Sequence, residues 1–215
     1  MQAVEIYCLT IKYTMLPPTI ILIGFSTAGK SHYLREIEKL YPKEFNYLDS
    51  DKYISNDYDG HIYNVFMQLG RIDALKYIET KEIDFLNYAK DNTDKPQLIA
   101  AGPFLVIRNG WKEFVAKRKP FIVHINKGVE AIYEGLHERR AHQISTLDNS
   151  NSNIGCWDDN VTTKLINGIY EDISKSEAIE NISGHFNRIT PTYKSYSNCS
   201  YDSETLRNNP KNIKT

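Results

Sequence analysis

The chain has 215 residues, with 26 Lys and Arg against 27 Asp and Glu and a formal net charge of −1. That balance excludes the basic footprint of a nucleic-acid coat or a polybasic membrane binder. With 41% hydrophobic and 25% charged residues, the composition is that of an ordinary globular protein long enough for one sizeable core. The cysteines, Cys8, Cys156 and Cys199, are odd in number, scattered and without zinc-ligand spacing, so they read as reduced thiols of a cytoplasmic protein. The longest apolar run near the start, residues 20–23, is far too short to cross a bilayer. Residues 1–14 lack a signal-peptide pattern and read as an extra edge strand or an extension.

Short apolar runs then alternate with helical patterns, which predicts an α/β fold with a parallel sheet. Thr19–Ile23 is continuous and β-branched, as a buried strand requires. From Lys30, Leu34, Ile37 and Leu40 recur at helical spacing until Pro42. A second strand over 45–48 ends in Asp49-Ser50-Asp51, and residues 61–90 are helical with an interruption at Gly70. Strands over 97–101 and 121–125 flank a helix at Trp111–Arg118. Helices are expected over 129–140 and 161–178, and a weak last strand within 181–189. Residues 141–160, rich in Asn, Ser and Asp, read as a mobile loop, and residues 193–215 as a disordered tail. The expected domain is therefore 15–192.

The decisive run is Gly24-Phe25-Ser26-Thr27-Ala28-Gly29-Lys30-Ser31, a complete G-x-x-x-x-G-K-S between a buried strand and a helix. The glycines permit a turn that aims successive N–H groups at a phosphate. Lys30 adds a mobile charge for the β- and γ-phosphates, and the Ser31 hydroxyl can ligate Mg²⁺. The helix that starts here directs its positive end at the same anion. The expected nucleotide-binding set is this octapeptide with His32, its ligands ATP and Mg²⁺. The fold expected is a three-layer α/β/α P-loop NTPase with a central, mainly parallel sheet and a lid segment.

The third and fourth strands end without a carboxylate, which disfavours GTPases and motor ATPases. The acidic strand end is Asp49-Ser50-Asp51, at the sheet edge beside the phosphates. One Asp can act on the metal shell and the other on an acceptor hydroxyl. Asp also favours a plain helix N-cap, and the residues alone leave both readings open.

ILIGFSTAGKS over 21–31 followed by YLDSD over 47–51 resembles shikimate kinase and its relatives, over residues 19–170. The resemblance implies a kinase in which Ser31 and Asp49 surround Mg²⁺ and Asp51 contacts the acceptor. It implies a carboxylate-binding cation at Lys76, with Arg71 as rival, beside Glu79. Leu75, Glu79 and Leu86 share a helical face, which aims Glu79 inward; an ordinary Lys76–Glu79 ion pair is the other reading. The family's Gly-Gly-Gly after the third strand is Ala100-Ala101-Gly102 here, so Ala101 and Gly102 are substrate-side candidates and two methyl groups are expected to intrude. A second substrate-binding Arg would fall at Ile166, where the charge is missing. The lid becomes 141–160, and Arg139 and Arg140 at its start are candidates to stabilise the transferring phosphoryl group.

With one cation lost and another softened to Lys, affinity for a small anionic polyol is expected to fall. The leading expectation is a small-molecule kinase with a hydroxyl acceptor, no nucleic-acid or membrane partner, and a monomeric or homodimeric state. Two rivals are a nucleotide-binding module without catalysis, and a nucleoside or nucleotide kinase in which Tyr53, Tyr58 or Tyr63 stacks a base. His124, His137, Trp111 and Trp157 read as packing or solvated residues.

Overall fold

The computed structural model describes residues 19–92, 94–146, 162–166 and 169–203. Its centre is β1 (Thr19–Ile23), every residue of which is buried. Ile21 and Ile23 pack into the larger apolar cluster, Ile20 and Leu22 into the smaller one. This period-two division explains why a strand covered on both faces reads as an unbroken apolar run. Burying each such side chain contributes about 2 kcal/mol.

α1 (Lys30–Leu40) follows β1, then β2 (Asn46–Asp49) and the short α2 (Ser50–Ile54). α3 (Ile62–Asp91) is broken at Gly70, whose φ of 69° lies in the left-handed region that glycine enters without penalty. β3 (Gln97–Ala100), α4 (Trp111–Arg118), β4 (Phe121–Asn126) and α5 (Val129–Thr146) follow. Next come β5 (Thr163–Ile166), β6 (Ile169–Asp172), α6 (Lys175–Tyr196) and β7 (Cys199–Asp202). The five-stranded sheet runs β2-β3-β1-β4-β7, all pairs parallel. α1 covers one face through Leu34; α3, α4, α5 and α6 cover the other through Phe85, Phe114, Ile132 and Ile182. This is the three-layer α/β/α arrangement. Parallel strands place their carboxyl ends along one edge, so the segments after β1, β2, β3 and β4 converge there.

Several expectations need correction. Residues 141–146 continue α5 instead of opening a loop; 147–160, the rest of the expected lid, lie outside the described residues. Most of the expected helix over 161–178 is replaced by the antiparallel pair β5–β6, in register Ile166↔Ile169, while 175–178 are helical as the start of α6. The sequence between those strands is Asn167-Gly168, the dipeptide that most favours a two-residue hairpin. The weak strand over 181–189 is instead the middle of α6, which buries Ala178, Ile182, Ile189 and Tyr193 at helical spacing despite Pro191. Residues 193–203 are the end of α6 and β7 rather than a tail. β7 lies on β4, with Asn198 Oδ1 accepting from Ile122 N at 2.7 Å just before it. Residues 204–215, and 1–18 with the proposed extension, lie outside the described residues. None of the described helices is long and apolar enough to cross a membrane.

Candidate active site

The loop after β1 is shaped by close backbone contact. A Cβ on Gly24 would lie 2.4 Å from the Ile125 carbonyl oxygen, so only glycine fits there. Gly29 caps α1 at φ 98°, and Thr27 takes φ 61°, a region costly for a β-branched residue. Lys127, buried beyond β4, donates through Nζ to the Thr27 carbonyl at 3.0 Å. Gly135 on α5 leaves room for that contact, since a Cβ there would sit 2.9 Å from Thr27 Cβ.

Lys30 is buried, and its Nζ donates to the carbonyls of Gly24 and Phe25, both at 2.9 Å. Burial lowers its pKa to about 8, with Asp51 and Asp49 pulling the other way. Ser26, Ser31, Asp49, Asp51, Glu82, Arg108 and Arg139 line one cleft of about 350 Å³. Arg139 Nη1 lies 3.5 Å from Ser26 Oγ.

Asp49 Oδ1 accepts from Asp51 N at 3.0 Å and Lys52 N at 3.4 Å, so it caps α2 and faces the cleft at once. The N-cap reading of this Asp is therefore present. Asp51 makes no side-chain hydrogen bond among the described residues; burial, then Asp49, pushes its pKa up, while Lys30 and Arg139 hold it down. Gly102 N donates to Ser50 Oγ at 2.7 Å. A Cβ at Gly102 would meet Asp51 Oδ1 at 2.8 Å.

Three residues that sequence reasoning passed over belong here. Glu82 is 3% exposed, and burial raises its pKa to about 6 against the pull of Arg108. Arg108 Nε donates to Glu82 Oε2, and Arg108 Nη1 lies 3.7 Å from Glu79 Oε1. The signal for Glu82 was its period with Ala74, Phe85 and Ala89, all buried. Lys127 directly follows a buried strand. Arg108 had no local signal, since only the chain path after β3 brings it to α3.

Other candidates fall elsewhere. Lys76 is exposed and pairs with Asp73 at 3.2 Å, neither with Glu79 nor in the cleft. Glu79 is not inward: its side chain is 55% exposed, at the cleft's rim through Arg108, and Leu75 is 41% exposed. Arg71 is partly exposed on α3 and does not line the cleft. Arg140 turns away to Asp172 on β6, Nε to Oδ1 3.1 Å. Ala100 and Ala101 bury their methyl groups in opposite cores, so no methyl intrudes and Gly102 alone of the three faces the carboxylates. Ile166 lies on β5, not on a helix that could present a substrate-binding charge. Phe25 and Ala28 are core residues and His32 is exposed beside Tyr33.

Tyr53 packs on Phe85 and Tyr88, and Tyr58 on Tyr77, whereas Tyr63 lines the cleft. His124 stacks on Tyr193, His137 on Tyr133, and Trp111 is core; Trp157 lies outside the described residues.

A metal-bound triphosphate suits this donor set: loop N–H groups, Lys30, the Ser31 hydroxyl and the uncommitted Asp49 Oδ2. No three His, Cys, Asp or Glu gather as metal ligands among the described residues. A cation here needs phosphate oxygens as co-ligands, the usual mode for Mg²⁺.

No family model and no curated protein matches the sequence. Solved structures do match. Shikimate kinase from Acinetobacter baumannii in complex with shikimate aligns with a TM-score of 0.57 and 19% identity, over 86% of this chain and 83% of that one. Shikimate kinase from Bacteroides thetaiotaomicron aligns with a TM-score of 0.53 and 16% identity, over 86% of each chain. The chain has a shikimate kinase-like P-loop kinase fold.

Proposed function

We propose that the chain is a Mg-ATP-dependent phosphotransferase acting on a hydroxyl of a small metabolite in the cytoplasm. The observation that carries the reading is Asp51: a carboxylate without a hydrogen bond among the described residues, in the cleft of the phosphate loop, within the field of Lys30 and Arg139. A module that only binds nucleotide has no use for such a group. When bound, Mg-ATP supplies the γ-phosphoryl group, the acceptor oxygen forming the new P–O bond as the bond to ADP breaks.

The chain's own residues divide the remaining work. The loop N–H groups and Lys30 hold the phosphates, and Ser31 with Asp49 hold Mg²⁺. Asp51 orients the acceptor hydroxyl and takes its proton, a task for which a raised carboxylate pKa is suited. Arg139 offsets negative charge that builds on the transferring group. A coupled ADP-release assay across cyclitols, sugars, nucleosides and hydroxy acids tests this. Acceptor-dependent turnover with at least one class is expected; ATP binding with no acceptor-stimulated turnover from any class would leave a nucleotide-binding module.

A further inference from the structure

Resting on the phosphotransferase reading, the far side of the same cleft says what kind of acceptor it takes. Its walls come from α2, α3 and the segment after β3, which bring Ile54, Tyr63, Phe66, Ile78 and Phe104 together with the exposed Lys52 and His61. Arg108 is the half-buried cation of that side, while the exposed Arg35, Lys52 and His61 also line the cleft. Two carboxylates already engage Arg108, Glu82 through a direct hydrogen bond and Glu79 at 3.7 Å. A carboxylate or phosphate seated at the buried end must therefore compete for Arg108 with Glu82, a residue buried on α3 that cannot swing into water, and is otherwise left with cations exposed to solvent screening.

The acceptor atoms left over point the other way. Glu82 Oε1 accepts no hydrogen bond among the described residues, and neither does the Asp51 carboxylate. Both reach toward the same place, lying 3.7 Å and 2.8 Å from where a Gly102 Cβ would stand. Two carboxylates opening on one partly apolar chamber call for hydrogen-bond donors on the ligand, not for more anions.

We propose that the acceptor carries no carboxylate or phosphate. It is a neutral or amine-bearing hydroxyl compound with an apolar ring face, whose reacting hydroxyl meets Asp51 and whose second donor meets Glu82. The aromatic and aliphatic walls take the ring, and Arg108 stays bound to its two glutamates. Discrimination comes from the unfavourable meeting of like charges as much as from the new hydrogen bonds.

The test uses the full chain with Mg-ATP and matched pairs of probes: shikimate against its carboxamide, gluconate against glucitol, a nucleoside monophosphate against its nucleoside, and an amino-cyclitol. Acceptor-dependent ADP formation is read beside calorimetric binding of each probe in the presence of Mg-ADP. At least one uncharged or amine-bearing probe is expected to exceed its anionic counterpart about tenfold or more in kcat/KM or affinity. Glu79→Arg, at an exposed rim position that tolerates the change, should shift that ratio about tenfold toward the anion by adding an unpaired cation.

The inference is overturned by an anionic probe preferred in the unsubstituted chain, by a ratio unmoved in Glu79→Arg, or by no neutral or amine probe binding at all. Binding of an uncharged probe without turnover sustains it while removing the phosphotransferase reading. Turnover of an anionic probe alone does the reverse.

Discussion

Lys30 shows how one side chain ties the fold to the proposed nucleotide binding. Its ammonium is buried and satisfied by two loop carbonyls, yet burial still lowers its pKa to about 8. Triphosphate binding favours the charged form and must raise that pKa, so binding takes up a proton in the range above pH 8. ATP affinity is expected to be flat below pH 8 and to fall by up to about tenfold per pH unit above it. The ligand-free chain responds with the opposite sign. A folded lysine pKa below the unfolded value of 10.5 is a penalty that is relieved as pH rises from about 8 toward 10.5. Calorimetric Kd values for ATP between pH 7 and 9.5 check this, and a flat profile that Lys30→Met does not alter would falsify the assignment. The residues of this loop were legible because the motif is local. Arg108 was not, because its partners Glu82 and Glu79 lie more than twenty positions away on another element.

At the scale of elements, α5 assigns different tasks to neighbouring residues. Arg139 faces Ser26 in the phosphate loop, whereas Arg140 reaches Asp172 on β6. The helical turn separates successive side chains by about 100°, which is why a tandem Arg-Arg serves two surfaces. Arg139→Ala is expected to lower kcat about 100-fold or more. Arg140→Ala, losing a pair whose Asp172 is 69% exposed, should change stability by less than about 1 kcal/mol and lower kcat far less. Steady-state rates and thermal melts of the two variants decide it, and equal losses of kcat would contradict the division. The strands and helices through α4 were legible because buried parallel strands and amphipathic helices have distinct periods. The failures cluster after residue 140. There β5–β6 alternates weakly, so its apolar spacing suggests a helix despite Asn167-Gly168. In α6, Gly184 and Pro191 interrupt a helix whose buried residues keep their spacing. β7, Cys-Ser-Tyr-Asp, only half-buries Cys199 and Tyr201 and leaves Ser200 and Asp202 exposed, and pairing with β4 supplies what its own composition lacks.

At the scale of the whole molecule, near-neutral charge conceals a segregation of signs. The parallel sheet brings the ends of β1, β2, β3 and β4 to one edge, and there Lys30, Arg139 and Lys127 gather around the loop. Asp51 and Glu82 sit across from them, with Gly102 giving both carboxylates room. On the proposed function these become a cationic phosphate side and an acidic acceptor side, an arrangement for moving a phosphoryl group between two bound molecules. The measurement that bears most directly on this is acceptor-dependent ADP release by Asp51→Asn, with ATP affinity determined on the same preparation. The account predicts kcat reduced about 100-fold or more while the Kd for ATP changes by less than about threefold, since Asp51 serves the acceptor and not the phosphate loop. Turnover retained at the unsubstituted level, or ATP binding lost in step with turnover, would contradict it.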